Sequence, residues 1–169
     1  MEATMHRWGY AIAATSVSQW LQNHLWVIPT SQSIHIVMIS VVFGCAAMIS
    51  LRLLGVSSGG RSVSSLVLTL VPWMYIALLG ALVTGIVQTV AEPVREFVTP
   101  AFWCKMLMIV AVVILTQWFA GSVRRNAARW DAPLSRPGSG RAFALISLGL
   151  WIAIVYCGRF IAYTWGFYM

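Results

Sequence analysis

Four apolar stretches, residues 34–54, 66–90, 102–122 and 142–163, are each long enough to cross a bilayer, and a chain that contains them has few ways to fold. About 20 residues rising ~1.5 Å each match a hydrocarbon core of ~30 Å. Lipid supplies no partners for backbone N–H and C=O groups, so each stretch must satisfy its own, as an α-helix does. A β-barrel would need repeated period-two strands, and these stretches show none. Composition agrees: 60% of the 169 residues are hydrophobic and 9% are charged, too few polar groups to cover a soluble domain of this size.

Loop chemistry separates the stretches at Ser57-Ser58-Gly59-Gly60, Glu92-Pro93 and Arg136-Pro137-Gly138. Ahead of the first stretch, Val17, Trp20, Leu21, His24 and Ile28 recur at helical spacing, with Ser18, Gln19, Gln22 and Asn23 on the other side. This predicts an amphipathic helix over 16–28 lying in the membrane interface, with Trp20 and Trp26 at headgroup depth. Pro29 is expected to end it, and Thr30 or Ser31 to cap the helix that follows. The expected fold is therefore all-α: one integral membrane domain, a four-helix bundle preceded by an N-terminal interfacial amphipathic helix. Pro72 is expected to kink the second span. Gly80, Ala81, Thr84 and Gly85 on that span, with Gly44, Ala46 and Ala47 on the first, are expected to let backbones approach closely. The N-terminal region carries His6 and Arg7 before a short apolar stretch broken by Thr15, Ser16 and Ser18. It lacks a signal-peptide core and is expected to be retained.

The net charge of +7 does not point to nucleic acid, because the basic residues sit between apolar stretches and are not interleaved with stacking-competent polar segments. It acts instead as an orientation signal. The first and third connections carry Arg52, Arg61, Arg124, Arg125, Arg129, Arg136 and Arg141 against one acid, Asp131. The opposite side offers Arg7, Arg95, Lys105 and Arg159 against Glu2, Glu92 and Glu96. The positive-inside rule then places the arginine-rich side in the cytoplasm and both termini in the periplasm of a bacterial inner membrane.

Ionisable side chains at the margin of hydrocarbon are costly unless they snorkel or find partners. With four alternating spans, His35, Lys105 and Arg159 all reach the same membrane half as the loop residues Glu92, Arg95 and Glu96. Tyr156, Tyr163 and Trp103 add hydrogen-bonding aromatic groups there. A bland account is open for each: Lys105 and Arg159 snorkel to the headgroups or pair with Glu92 or Glu96, and His35 bonds a neighbouring helix. A functional account is a b-type haem or quinone site. Haem iron takes an imidazole, propionates favour Arg or Lys at the membrane margin, and a quinone carbonyl accepts hydrogen bonds from His, Lys or Tyr. His35, Lys105, Arg159, Tyr156 and Tyr163 are the candidate cofactor-binding residues. His35 and His24 are the only plausible metal-ligand pair, and they would have to converge across the Pro29 turn or between two protomers.

Copper handling is an alternative, since Cys104, Cys157, His35, Met38 and Met106 supply soft ligands on the same side. Methionine is also a common gap-filler, and no tight ligand motif occurs. Cys45, Cys104 and Cys157 show no zinc-type spacing, and the sequence leaves a Cys104–Cys157 disulfide open. No hydrolase or nucleotide-binding motif is present. The chain is thus at most one subunit of a membrane electron-transfer complex. Its expected partners are membrane lipid, other membrane or periplasmic subunits, or further copies of itself, with a purely structural anchor as a third reading.

A series of local signatures spans most of the chain. It comprises His35 followed by Leu51-Arg52-Leu53-Leu54-Gly55, then Leu70-Val71-Pro72, Thr84-Gly85, Lys105-Met106, Trp130-Asp131, Arg136-Pro137 and Arg141. Ser147-Leu148-Gly149-Leu150-Trp151 and Gly158-Arg159-Phe160-Ile161-Ala162-Tyr163 complete it. Together they resemble an uncharacterised, domain-of-unknown-function family of small four-helix bacterial membrane proteins. The resemblance implies the topology and marks His35, Lys105 and Arg159, but it carries no activity.

Overall fold

The computed structural model describes residues 2–56, 60–132 and 138–164. The described chain forms helices α1 (Glu2–Ala13), α2 (Ser16–Asn23), α3 (Val27–Leu54), α4 (Val63–Ala91), α5 (Pro93–Val98), α6 (Pro100–Arg125), α7 (Ala127–Asp131) and α8 (Gly138–Thr164). The breakers Ser57-Ser58-Gly59 and Arg136-Pro137 lie outside the described residues.

The helices α3, α4, α6 and α8 are long and apolar enough to cross a membrane. Large apolar side chains such as Ile36, Leu79, Leu107 and Ile152 cover their outer faces. In water such a surface would be unstable; in lipid it is the expected one. The chain is a multi-pass membrane protein of all-α fold. At 28 residues, α3 is ~42 Å long, so it either projects beyond a ~30 Å hydrocarbon core or tilts within it.

α3 packs most extensively on α4, while α8 packs on both α3 and α6. Gly80 helps to set the α3–α4 spacing, because a Cβ there would lie 2.9 Å from Met38 Sδ. Ala46, Ala77 and Ala81 are buried in the same region. Gly44 does not belong to this contact: a Cβ there would meet nothing within 4 Å. α4 runs as one helix through Pro72.

The ends of the long helices expose carbonyl and amide groups without intrahelical partners, and specific residues complete them. α3 stops at Gly55, whose φ of 82° is left-handed. Gly55 N–H donates to Arg52 O at 3.2 Å and Val56 N–H to Leu51 O at 3.1 Å, a Schellman closure that glycine permits without strain. The last carbonyls of α4 are taken by α2. Ser18 Oγ donates to Val90 O at 2.8 Å, and Gln22 Nε2 donates to Ala91 O at 3.0 Å. The polar edge of α2 therefore faces the protein, while Val17 and Trp20 face outward.

α2 is shorter than the sequence suggested, ending at Asn23, and α3 begins at Val27. Pro29 lies in the first turn of α3, where its missing N–H would have had no intrahelical acceptor, so it starts the span rather than closing the preceding helix. α1, unexpected from periodicity, packs on α5. Gly9 makes that contact close: a Cβ would sit 3.0 Å from Val94 Cα.

At the arginine-rich end, Phe119 stacks on Phe143 with ring centroids 4.0 Å apart, and Trp130 meets Phe119 edge-on at 5.1 Å. This aromatic wedge brings α7 to the start of α4. There Asp131 Oδ1 accepts from Ser64 N–H at 2.9 Å and Oδ2 from the Ser64 hydroxyl. The lone acid among the arginines is thus a cap for α4, placed where the helix dipole favours a negative charge. Partial burial opposes its ionisation, but the bonds from Ser64, Ser62 and the Val63 backbone together hold its carboxyl below the usual range.

The Asp131 bond strengthens when the carboxyl is ionised, so its contribution is present above the unfolded pKa and is lost as pH falls through the depressed folded value. Asp131→Ala is expected to lower stability by about 1 kcal/mol at neutral pH. In detergent, thermal unfolding followed by tryptophan fluorescence should show wild type and variant converging in acid.

Candidate functional site

The end of the bundle opposite the aromatic wedge gathers the start of α3, the end of α4, the start of α6 and the end of α8, with α5 crossing between α4 and α6. Alternating helix direction brings His35, Thr84, Lys105 and Cys157 to this end, one from each span.

His35 lies on the face of α3 that meets α4. Its Nδ1 is 2.7 Å from Thr84 Oγ1. The Thr84 hydroxyl has one proton, and it is directed to Gly80 O at 2.9 Å, with Ala81 O at 3.2 Å. With that proton on Gly80 O, Nδ1 is assigned as the donor to Thr84 and Nε2 of the neutral imidazole as an acceptor. Gly85 leaves room for the ring, since a Cβ there would lie 3.4 Å from His35 Cε1. Thr84 was legible only as a small residue at a helix contact. Its hydroxyl is the partner from which the histidine tautomer is assigned.

Lys105 is half-buried, and its Nζ lies 5.5 Å from the centroid of the Phe102 ring one turn back, towards α5. Its charge is within electrostatic reach of His35, Glu96 and Cys157. The side chain is therefore the hub of the cluster. Glu96, on α5, is 7% exposed, and its Oε2 has no hydrogen-bond partner. Arg95 forms an ion pair with Glu92, and the same guanidinium stands 3.9 Å from Glu96 Oε1. Burial pushes the Glu96 carboxyl above the usual carboxylate range, although Lys105 and then Arg95 pull it back and Glu92 pushes it further.

The other expected site residues stand apart from this group. Arg159, Tyr156 and Tyr163 occupy an outward face of α8, with Tyr156 67% and Tyr163 70% exposed. Arg159 Nη2 donates to Tyr163 Oη at 3.1 Å, and the guanidinium lies 5.5 Å from that ring. Their spacing of three and four residues makes this strip self-contained. Trp103 donates its indole N–H to Phe97 O at 3.0 Å, closing the end of α5.

His24 has its own partners at the end of α2. Its Nδ1 donates to Trp20 O at 2.7 Å, and the two rings are 4.2 Å apart. α3 is continuous from Val27, so the Pro29 turn that would have folded His24 back onto His35 is absent. The eight residue steps from Val27 to His35 amount to ~12 Å of axial separation. Among the described residues no three His, Cys, Asp or Glu side chains converge as a metal site. Cys45, Cys104 and Cys157 are free thiols. Two crevices in the bundle interior, one lined by Tyr75, Thr116 and Trp151 and the other by Thr116, Phe119 and Phe143, each have space for about one water molecule. A large planar ligand would have to sit at the edge of this chain rather than within these crevices.

A family model described as "Family of unknown function (DUF6644)" matches residues 12–164, and the chain belongs to that family. No curated protein and no solved structure matches it.

Two outcomes follow from the geometry. Nitrogen-15 NMR of His35 is expected to show a protonated Nδ1 and an unprotonated Nε2, and Thr84→Val is expected to shift the Nδ1 signal while costing about 1 kcal/mol of stability. The raised Glu96 carboxyl contributes stability that is fully present below its unfolded pKa and is lost as pH rises through its folded value. Glu96→Gln should therefore melt with wild type in acid and at a higher temperature than wild type once pH exceeds that value.

Proposed function

We propose that this member of a family of unknown function is a membrane subunit that holds a quinone head group between His35 and Lys105 and serves a membrane electron-transfer assembly. The observation that carries the reading is the complementary pair of polar groups at the α5 end. Lys105 supplies an ammonium donor suited to a carbonyl oxygen, and His35 supplies an Nε2 acceptor suited to a hydroxyl, its Nδ1 being committed to Thr84. A quinone head group presents a carbonyl when oxidised and a hydroxyl when reduced, so the pair matches both forms. The apolar helix faces around the site would accept an isoprenoid tail. When bound, a quinone supplies two-electron, two-proton chemistry; the residues' part is to orient the head group and to hold protons at Nε2 and Nζ.

Quinone is favoured over haem because His24, the histidine the sequence offered as a second axial ligand, is bonded to Trp20 O and separated from His35 by the first turns of α3. It is favoured over copper because the thiols and His35 do not form a three-ligand group. Both termini in the periplasm of a bacterial inner membrane remain part of the proposal, supported by the skew of arginines towards the α7 end. The exposed Arg159–Tyr163 strip would then be a surface for lipid headgroups or another subunit rather than part of the quinone site.

Purified protein in detergent is expected to bind a short-tail quinone. Lys105→Met and His35→Ala should each weaken binding by about tenfold, equivalent to ~1.4 kcal/mol. A reduced-minus-oxidised spectrum with haem bands, or stoichiometric copper by elemental analysis, would replace the quinone reading with one of its rivals. Failure of any quinone to bind would leave a structural anchor.

A further inference from the structure

Arg61, Arg124, Arg125, Arg129 and Arg141 are exposed at the end of the bundle opposite His35 and Lys105, and α7 ties their segments together. Asp131 Oδ1 accepts from Ser64 N–H at 2.9 Å, three residues beyond Arg61. Arg129 N–H donates to Asn126 O at 3.1 Å, directly after Arg125. A Cβ on Gly140, the residue before Arg141, would lie 3.0 Å from the Trp130 ring. The acid among these arginines is already engaged, since both Asp131 oxygens accept from Ser64. Both ion pairs among the described residues lie at the other end, on Arg95. The orientation rule accounts for the gathering of arginines here, but not for the direction in which a guanidinium points.

Arg125 turns back towards the membrane. A Cβ on Gly121, one turn earlier in α6, would lie 4.0 Å from Arg125 Nη2 and within 4 Å of no other side chain among the described residues. Side chains on a helix lean towards its N-terminus, and α6 runs out of the span towards this end, so the guanidinium lies back along the helix instead of reaching into water. Trp118, Ile114 and Leu107 continue the same side of α6 into the span at helical spacing, and all three are exposed. The seven residue steps from Trp118 to Arg125 cover ~10 Å, enough to reach from the top of the hydrocarbon through one headgroup layer. Along that length the strip presents a cation, a notch without a side chain, an indole and then an apolar face. A phospholipid presents phosphate, glycerol and acyl chain in the matching order.

We propose that the outward strip of α6 from Trp118 to Arg125 binds one anionic phospholipid, with its phosphate on the Arg125 guanidinium, its glycerol over Gly121 and one acyl chain along Trp118, Ile114 and Leu107. A guanidinium is matched to phosphate oxygens in charge and in the fork of its N–H groups. The surplus positive charge of the neighbouring arginines selects a headgroup of net negative charge over a zwitterionic one. A lipid is favoured over a soluble acidic partner because the guanidinium is folded towards the span and the surface beyond it is apolar. The site is at the opposite end of the bundle from His35 and Lys105 and does not rest on the quinone reading.

The test uses the full chain in detergent, by native mass spectrometry with equal amounts of phosphatidylglycerol and phosphatidylcholine carrying the same tails. Wild type is expected to retain phosphatidylglycerol in preference. Arg125→Gln should reduce that adduct by about fivefold, the loss of one arginine's attraction for an anionic lipid surface. Arg124→Gln removes the same charge from the next position, ~100° round the helix, and should keep the adduct within about twofold of wild type. Gly121→Leu keeps every charge but fills the notch, and it should lower binding as Arg125→Gln does. It also decides the matter if Arg125→Gln does not fold. Equal retention of the two lipids by wild type, equal losses in Arg124→Gln and Arg125→Gln, or full binding by Gly121→Leu overturns the site. So does displacement of the lipid by an equal concentration of inorganic phosphate or of a glutamate-rich peptide, which would make a soluble anion or an acidic protein the occupant.

Discussion

Lipid cannot hydrogen-bond a peptide group, and the rest of this structure follows from that constraint. Within each span the helix meets it unaided. At the ends, where four donors or acceptors are left over, the chain meets it with particular residues: Gly55 for α3, Ser18 and Gln22 for the end of α4, and Asp131 with Ser62 for its beginning. The short helices are there largely because of these closures. α2 brings side-chain donors to bare carbonyls, and α7 brings a carboxylate to bare amides.

The same constraint sharpens what an ionisable group means at each position. Arg61, Arg124, Arg125, Arg129 and Arg141, at the arginine-rich end, are exposed, and their placement needs no ligand. Glu96, Lys105 and His35 are different because they sit wholly or half buried at one end of the bundle, with Lys105 within electrostatic reach of the other two. Charge there is regulated by neighbours instead of by bulk solvent, which is the setting in which protonation states become adjustable.

Much of the architecture was readable from the chain because bilayer crossing depends on length and apolarity, properties a single sequence displays directly. The short helices were not. α1 carries no strong periodicity, and its place is fixed by the close backbone contact of Gly9 with Val94, a long-range fact. Pro29 illustrates a local rule with two outcomes, since a proline ends one helix and begins another equally well. For the site, His35 and Lys105 stood out because they interrupt apolar runs. That Arg159, Tyr156 and Tyr163 belong elsewhere depends on how α8 is rotated about its axis, and all three lie on one outward strip that hydropathy does not orient. The role of Thr84 was hidden for a related reason: a threonine in a glycine-rich patch reads as a spacer until its partner is known.

The clamp of α2 on α4 also has a history in time. Ser18 lies 72 positions before Val90, whose carbonyl it binds. At ordinary rates of synthesis the acceptor emerges on the order of 4–14 s after the donor. During that interval α2 has its outward tryptophan and valine to rest on a bilayer surface but nothing for Ser18 and Gln22 except water and headgroups. The arrival of α4 converts a waiting surface helix into a fastener, so a segment made well before α4 reaches its final bonds only when α4 does.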